Sequence, residues 1–176
     1  MSLAHVILGL LQQQARTGYD LKTSCFDQCI THLWQADQAQ IYRTLDKLEA
    51  QGWISCTVEI QHDRPNRKVY SLTAAGEAEL VGWLQCPQPC PTVRDPALAQ
   101  VYFAGLLPQP DLLNLLQRQL ETRQQKLTAC EAIEIAPHPS VAREQLMQQL
   151  VRDLVIRREQ VYLDWLKESI EAIQRL

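Results

Sequence analysis

The chain has 176 residues, 46% hydrophobic and 21% charged, with a formal net charge of −3. That length holds one large domain or two small ones, and the apolar fraction supports a real core, which excludes a disordered chain. The weakly acidic balance excludes a nucleic-acid binder that works by bulk charge, so any basic surface has to be local.

Residues 3–11 place Leu3, Val6, Ile7, Leu10 and Leu11 on one helical face. A polar break runs from Gln12 to Arg16. Thr17 then caps a second helix, with Asp20 three residues on to reach back to the free amides. Phe26 and Ile30 continue its apolar face beneath Tyr19, and Trp34 falls in the following link. A third helix is predicted from Asp37 to Gln51. There Ile41, Leu45 and Leu48, at i, i+4 and i+7, face inward, and Gln38, Gln40, Arg43 and Lys47 lie on other faces. Gly52 suits the left-handed position that ends a helix.

Ile54, Cys56, Val58 and Ile60 alternate with polar residues, the pattern of a half-buried strand. A turn over 62–67 carries Arg64, Pro65, Asn66 and Arg67, and Val69 to Leu72 return as the partner strand. Thr73 caps a fourth helix whose apolar face is Leu80, Val81 and Leu84. Helix, strand, basic turn, strand is the order of a winged helix, in which the helix enters a major groove and the turn reaches the neighbouring backbone. Residues 1–84 hold seven Lys/Arg against nine Asp/Glu, yet five of the seven are Arg43, Lys47, Arg64, Arg67 and Lys68. The expected DNA contacts are therefore Gln38, Gln40, Tyr42, Arg43, Lys47, Arg64, Arg67 and Lys68. Tyr19, Trp34 and Tyr42 read more readily as core aromatics with one polar edge than as contacts to DNA or a ligand.

Residues 86–96, CPQPCPTVRDP, carry four prolines in eleven positions and read as a linker. They separate a winged-helix domain, 1–85, from a helical domain, 97–176. In the latter, Ala97 to Leu107 form a short helix. Residues 111–134 carry a stripe of Leu113, Leu116, Leu120, Leu127 and Cys130. A turn at 136–140 leads to a last helix over 140–175, about 54 Å long. Its stripe includes Met147, Leu150, Val151, Leu154, Val155, Val161, Tyr162, Trp165 and Ile173. Such an antiparallel hairpin exposes more apolar surface than it hides, so it packs on the first domain or on a second copy. A symmetric dimer is the commonest solution, with Leu150, Leu154, Val161 and Trp165 at its centre. Tyr102, Phe103, Met147, Tyr162 and Trp165 line either that dimer core or a small-molecule pocket between the domains. The fold class expected is mainly α with a small β-wing: an N-terminal winged helix-turn-helix domain and a C-terminal antiparallel helical dimerisation domain.

Three segments carry a resemblance: LAHVILGLLQQQARTGYDLK at 3–22, QIYRTLDKLEAQGWI at 40–54, and RKVYSLTAAGEAELVGWL at 67–84. With the layout of the C-terminal helices, the chain resembles the PadR-like transcriptional regulators in their long form, over essentially its whole length. The resemblance implies a homodimeric DNA-binding regulator, usually a repressor, that dimerises through its C-terminal helices. Two departures stand out: Arg43 follows the Ile-Tyr pair where the family commonly has proline, and Asp63 stands where the wing usually opens with glycine.

The function expected is a sequence-specific regulator, a repressor acting as a homodimer on a pseudo-palindromic double-stranded DNA operator and modulated by a small-molecule effector. Two other readings stay open. The acidic first domain keeps a protein-interaction module with weak DNA binding. Cys25, Cys29 and His32, at i, i+4 and i+7, and the pair Cys86 and Cys90 keep a thiol- or metal-responsive regulator. No complete four-ligand motif is present, so no metal or cofactor is expected, and the six cysteines read as reduced thiols. No phosphate-cradling loop, nucleophile elbow or HExxH motif points to an enzyme. With no signal peptide and no bilayer-length apolar run, the chain reads as cytoplasmic, without a membrane partner.

Overall fold

The structure, a computed structural model, describes residues 2–60, 66–90, 94–133 and 142–176. They fall in two compact units, Met1–Cys90 and Pro91–Leu176.

The first unit runs α1 (Ser2–Gln13), β1 (Arg16–Thr17), α2 (Gly18–Asp20, continuing as a π-helix over Leu21–Cys29), α3 (Gln38–Ala50), β2 (Ile54–Glu59), β3 (Arg67–Leu72) and α4 (Ala74–Gln85). The sheet has the order β1-β3-β2 and is antiparallel throughout, with Arg16 opposite Tyr70 and Ile54 opposite Leu72. The expected partner strand starts two residues early, at Arg67, and β1 replaces the end of the expected polar break. Two residues cannot show an alternation, so β1 left no periodic signal.

Local chemistry sets the helix ends. Thr17 and Asp37 head capping boxes with Asp20 and Gln40, and the Thr73 hydroxyl accepts the Gly76 amide at 3.1 Å. Gly52, at φ 71°, closes α3: its amide donates to the Glu49 carbonyl and that of Trp53 to the Leu48 carbonyl. Gly76 lets α4 start against the β2 end of the sheet, since a Cβ there would lie 2.0 Å from the Trp53 carbonyl oxygen.

The core joins Ile7, Leu8, Leu11, Leu21, Phe26, Ile41, Leu45, Leu48, Tyr70 and Leu80. Leu3 and Val6 only pack against its edge. On α4, Leu80 points inward as expected, but Val81 and Leu84 are exposed; Gly76 and Trp83 face the core side instead. Trp83 stacks on the buried His5 ring at 4.7 Å, and His5 Nε2 meets Glu79 Oε1 at 3.2 Å. The strand β2 follows its alternation only at Ile54 and Cys56. Val58 and Ile60 are exposed, because β2 leaves the core to become the arm of the wing.

The second helix departs most from expectation. The Ile30 amide donates to the Cys25 carbonyl, five residues back, so the winding is wider than α. Leu21, Cys25 and Phe26 fill its inward face, and Tyr19 is 65% exposed rather than core. The helix ends at Cys29, so His32 lies beyond it. Cys25 is buried while the exposed Cys29 thiol donates to the Ser24 carbonyl. The three-residue metal face is therefore not formed.

The second unit contains α5 (Pro96–Phe103), a 3₁₀ turn (Ala104–Leu106), α6 (Gln109–Glu131) and α7 (Ala142–Gln174). Asp95 caps α5, accepting from the Ala97 and Leu98 amides at 3.0 and 3.2 Å. Gln109 donates to the Ile173 carbonyl and Arg152 to that of Glu131, so the start of α6 lies by the end of α7 and the reverse: the pair is antiparallel. Leu116, Leu127 and Cys130 on α6 and Val155, Leu163 and Leu166 on α7 are buried in this unit. The single stripe read on α7 thus splits into two. Val155 turns inward with Leu163 and Leu166; Met147, Leu150, Val151, Leu154 and Val161 form a second row, 37–69% exposed. The reason is periodicity: 147, 150, 154 and 161 recur at one helical face, and 155, 159, 163 and 166 at another. The turn expected at 136–140 lies outside the described residues. No described helix is long and apolar enough to cross a membrane.

Candidate nucleic-acid interface

Helix α3 turns Ile41, Leu45 and Leu48 to the core, and the opposite face is left to solvent. Arg43 and Lys47 stand there one turn apart, both exposed. The Arg43 Nε donates to the Ala39 carbonyl at 3.2 Å, which folds the stem along the helix. Neither side chain has an ion-pair partner among the described residues, and nor does Lys68. Unneutralised cations on an outward face are what phosphate binding needs.

Gln38 is exposed in the first turn. Gln40 is exposed too, but its amide oxygen accepts the Asp37 amide at 3.1 Å while Asp37 accepts the Gln40 amide at 2.7 Å. Its side-chain NH₂ group is then the donor available outward. Tyr42 is half packed: a Cβ at Gly18 would sit 2.7 Å from its ring, and the residue is 36% exposed. Gly18 is what lets Tyr42 rest on α2. Two surface grooves flank this end of α3. One, about 400 Å³, includes Lys22, Asp27 and Asp37; the other, about 410 Å³, includes Trp34, Arg43, Thr44 and Lys47. Gln35 and Gln40 border both.

The wing hairpin carries Arg67 and Lys68 exposed on β3. Arg64 and Asp63 lie outside the described residues. Arg67 is not idle: its guanidinium reaches Asp20 Oδ2 at 3.4 Å. Burial raises the Asp20 pKa, but bonds from the Thr17 hydroxyl and amide, with Arg67 and Arg16 nearby, outweigh it and hold the group below the usual carboxylate range. In the sequence Asp20 reads only as a cap, and nothing singles out Arg16, Gln35 and Thr44. No local pattern marks them, since their placement depends on the β1–β3 pairing and the α2–α3 turn.

In the second unit, Leu150, Leu154 and Val161 are exposed, and Trp165 is half-buried, edge-on to Tyr162 at 5.3 Å. Tyr102 and Phe103 are exposed and form a separate pair at 5.0 Å. Beneath α7 lies an ion cluster that sequence reasoning missed. Glu159, 1% exposed, accepts from Arg123 at 2.9 Å and from Lys126. Arg123 also reaches Asp95 at 3.3 Å and lies over the Tyr162 ring at 3.7 Å. The signal was Glu159 itself, a charge four residues from Val155 and from Leu163 in the inward row.

Among the described residues no group of three or more His, Cys, Asp and Glu is placed to hold a metal ion. Burial pushes the thiols of Cys25 and Cys130 upward, the direction of a protonated, unreactive group.

A capped helix presenting free cations beside a β-hairpin wing, joined in one chain to an antiparallel helical unit, defines a winged-helix transcriptional regulator. Known proteins agree. Residues 7–81 match the transcriptional regulator PadR-like family and residues 93–174 the virulence activator alpha C-terminal family. The negative transcriptional regulator PadR of Bacillus subtilis is 34% identical over 98% of each chain. A probable transcriptional regulator of Mycobacterium tuberculosis is also 34% identical, over 99% of this chain and 98% of its own. The structure of B. subtilis PadR with operator DNA matches with a TM-score of 0.85 and 32% identity over 98% of this chain and 99% of that one. The Vibrio cholerae virulence activator AphA matches at 0.76 and 27% identity, over 99% of both chains. The chain belongs to the PadR-like family of transcriptional regulators. It is a DNA-binding regulator and not an enzyme.

Proposed function

We propose that the chain is a homodimeric repressor. Each protomer sets α3 into a major groove, with Gln38, Gln40, Tyr42, Arg43 and Lys47 toward DNA, and the wing residues Arg64, Arg67 and Lys68 grip the flanking backbone. The observation that carries this reading is the exposure of Arg43 and Lys47 on the outer face of α3 without a described acidic partner. In this reading residues 1–85 bind DNA, 86–96 link, and 97–176 dimerise. The exposed row of Met147, Leu150, Leu154 and Val161 supports a helical partner of the same kind, since an apolar row of that length is costly to leave in water. Two-fold symmetry then requires a pseudo-palindromic operator, its half-sites about one helical turn or a multiple apart. The repressor sign follows the negative regulator of B. subtilis. That protein has also been solved with p-coumaric acid, which supports a small-molecule effector here and makes a phenolic acid the first class to try. Such a regulator works in the cytoplasm.

The test is selection of bound fragments from the source genome, followed by fluorescence anisotropy on the recovered duplex at several salt concentrations. A palindromic site bound by two protomers with steep salt dependence supports the reading. Absence of enrichment, with equal weak binding to every duplex, sinks it in favour of a protein-interaction module.

A further inference from the structure

Asp20 joins three elements. Its Oδ2 accepts from the Thr17 amide at 3.1 Å and the Thr17 hydroxyl at 2.7 Å, and Arg67 on β3 meets the same oxygen at 3.4 Å. Thr17 belongs to β1, which pairs with β3 through Thr17 opposite Val69, next to Arg67 and Lys68. The carboxylate is thus fixed by the cap of α2 and projects to the base of the wing. The ion pair itself adds little stability, because Asp20 and Arg67 side chains are 35% and 47% exposed. Its consequence is geometric. A guanidinium has five N–H donors in a rigid fork, so one contact to Asp20 orients the group and leaves others to donate.

We propose that Asp20 is a positioning residue for DNA binding: it aims Arg67 from the wing base so that the remaining N–H groups meet a backbone phosphate. The proposal rests on the DNA-binding reading above and assigns an acidic residue a favourable role in it. Simple charge counting has the opposite sign, since removing an anion near DNA strengthens binding.

That sign makes the experiment decisive. Asp20→Asn keeps an oxygen acceptor for Thr17 and removes the charge. With the duplex recovered by selection and the full-length protein, D20N is expected to bind about tenfold more weakly, the scale of one charge-assisted hydrogen bond. Its salt slope is expected to fall by about one. In an Arg67→Ala background, D20N is expected to cause no further loss. Equal or tighter binding by D20N overturns the proposal, and so does a loss that simply adds to that of R67A, which places the effect in the α2 cap. Arg67→Lys supplies a second handle should D20N fold poorly. It keeps the charge and loses the fork, and is expected to weaken binding severalfold; unchanged affinity overturns the proposal. If the wild-type protein binds no duplex, the parent reading fails first and this one with it, an outcome distinct from a wild type that binds and variants that do not discriminate.

Discussion

Arg43 stands exposed on the outer face of α3, the helix proposed to enter the major groove. Replacing it with Ala leaves Ile41, Leu45 and Leu48 untouched, so folding is expected to survive. DNA affinity is expected to fall about tenfold and the salt slope by about one, read by anisotropy across a salt series. Two glycines of α4 separate packing from propensity. A Cβ on Gly76 meets the Trp53 carbonyl at 2.0 Å, whereas Gly82 has nothing within 4 Å. Gly76→Ala is expected to destabilise by about 2–3 kcal/mol through overpacking. Gly82→Ala is expected to stabilise by about 0.5–1 kcal/mol, because alanine gives up less backbone freedom in a helix. Urea unfolding midpoints with unchanged slopes check both.

At the scale of elements, the ion cluster ties α6 to α7. Burial alone raises the Glu159 carboxyl, but the hydrogen bonds from Lys126 and Arg123 outweigh it and hold the pKa below its ordinary 4.5. A carboxyl that titrates lower when folded binds fewer protons in the native state. Its stabilisation is therefore complete above pH 4.5 and is lost as the pH falls through the depressed folded value. Glu159→Gln leaves two cations without their buried counter-charge and is expected to cost about 3 kcal/mol at neutral pH. The difference from wild type is expected to shrink as the pH drops below 4.5, measured by urea unfolding at each pH. A constant difference across that range would show that the Glu159 carboxyl titrates alike in the folded and unfolded chain. The α2 π-winding belongs to this scale too. Its sequence reads as an ordinary capped helix, yet the Ile30 amide bonds five residues back, Cys25 is buried and Cys29 is exposed.

The molecule as a whole is decided by what covers the outer row of α7. Leu154→Asp puts a charge in the middle of that row, on a face directed away from Val155, Leu163 and Leu166. The monomer is expected to stay folded by circular dichroism, while sedimentation equilibrium shows half the wild-type mass and operator affinity collapses. A wild type already monomeric at micromolar concentration overturns the dimer. The two effects together also test whether one protomer alone holds an operator.

Much of this is legible in the sequence itself, where the information is local. Thr17, Asp37 and Thr73 announce helix starts because a side-chain oxygen three residues ahead of an amide is a short-range device. Ile41, Leu45 and Leu48 declare the inner face of α3, and by subtraction the face of Arg43 and Lys47, because a helix has one period. What only the tertiary structure decided depends on partners distant in the chain. Val81 and Leu84 face water because Gly76, Leu80 and Trp83 meet α1 and the sheet first. The apolar residues of α7 divide into two rows because α6 covers one side only. Arg67 meets Asp20 across 47 residues because a two-residue strand, invisible to periodicity, brings the wing against the cap of α2. Periodicity says which residues share a face; it takes the packed neighbours to say which face is inside.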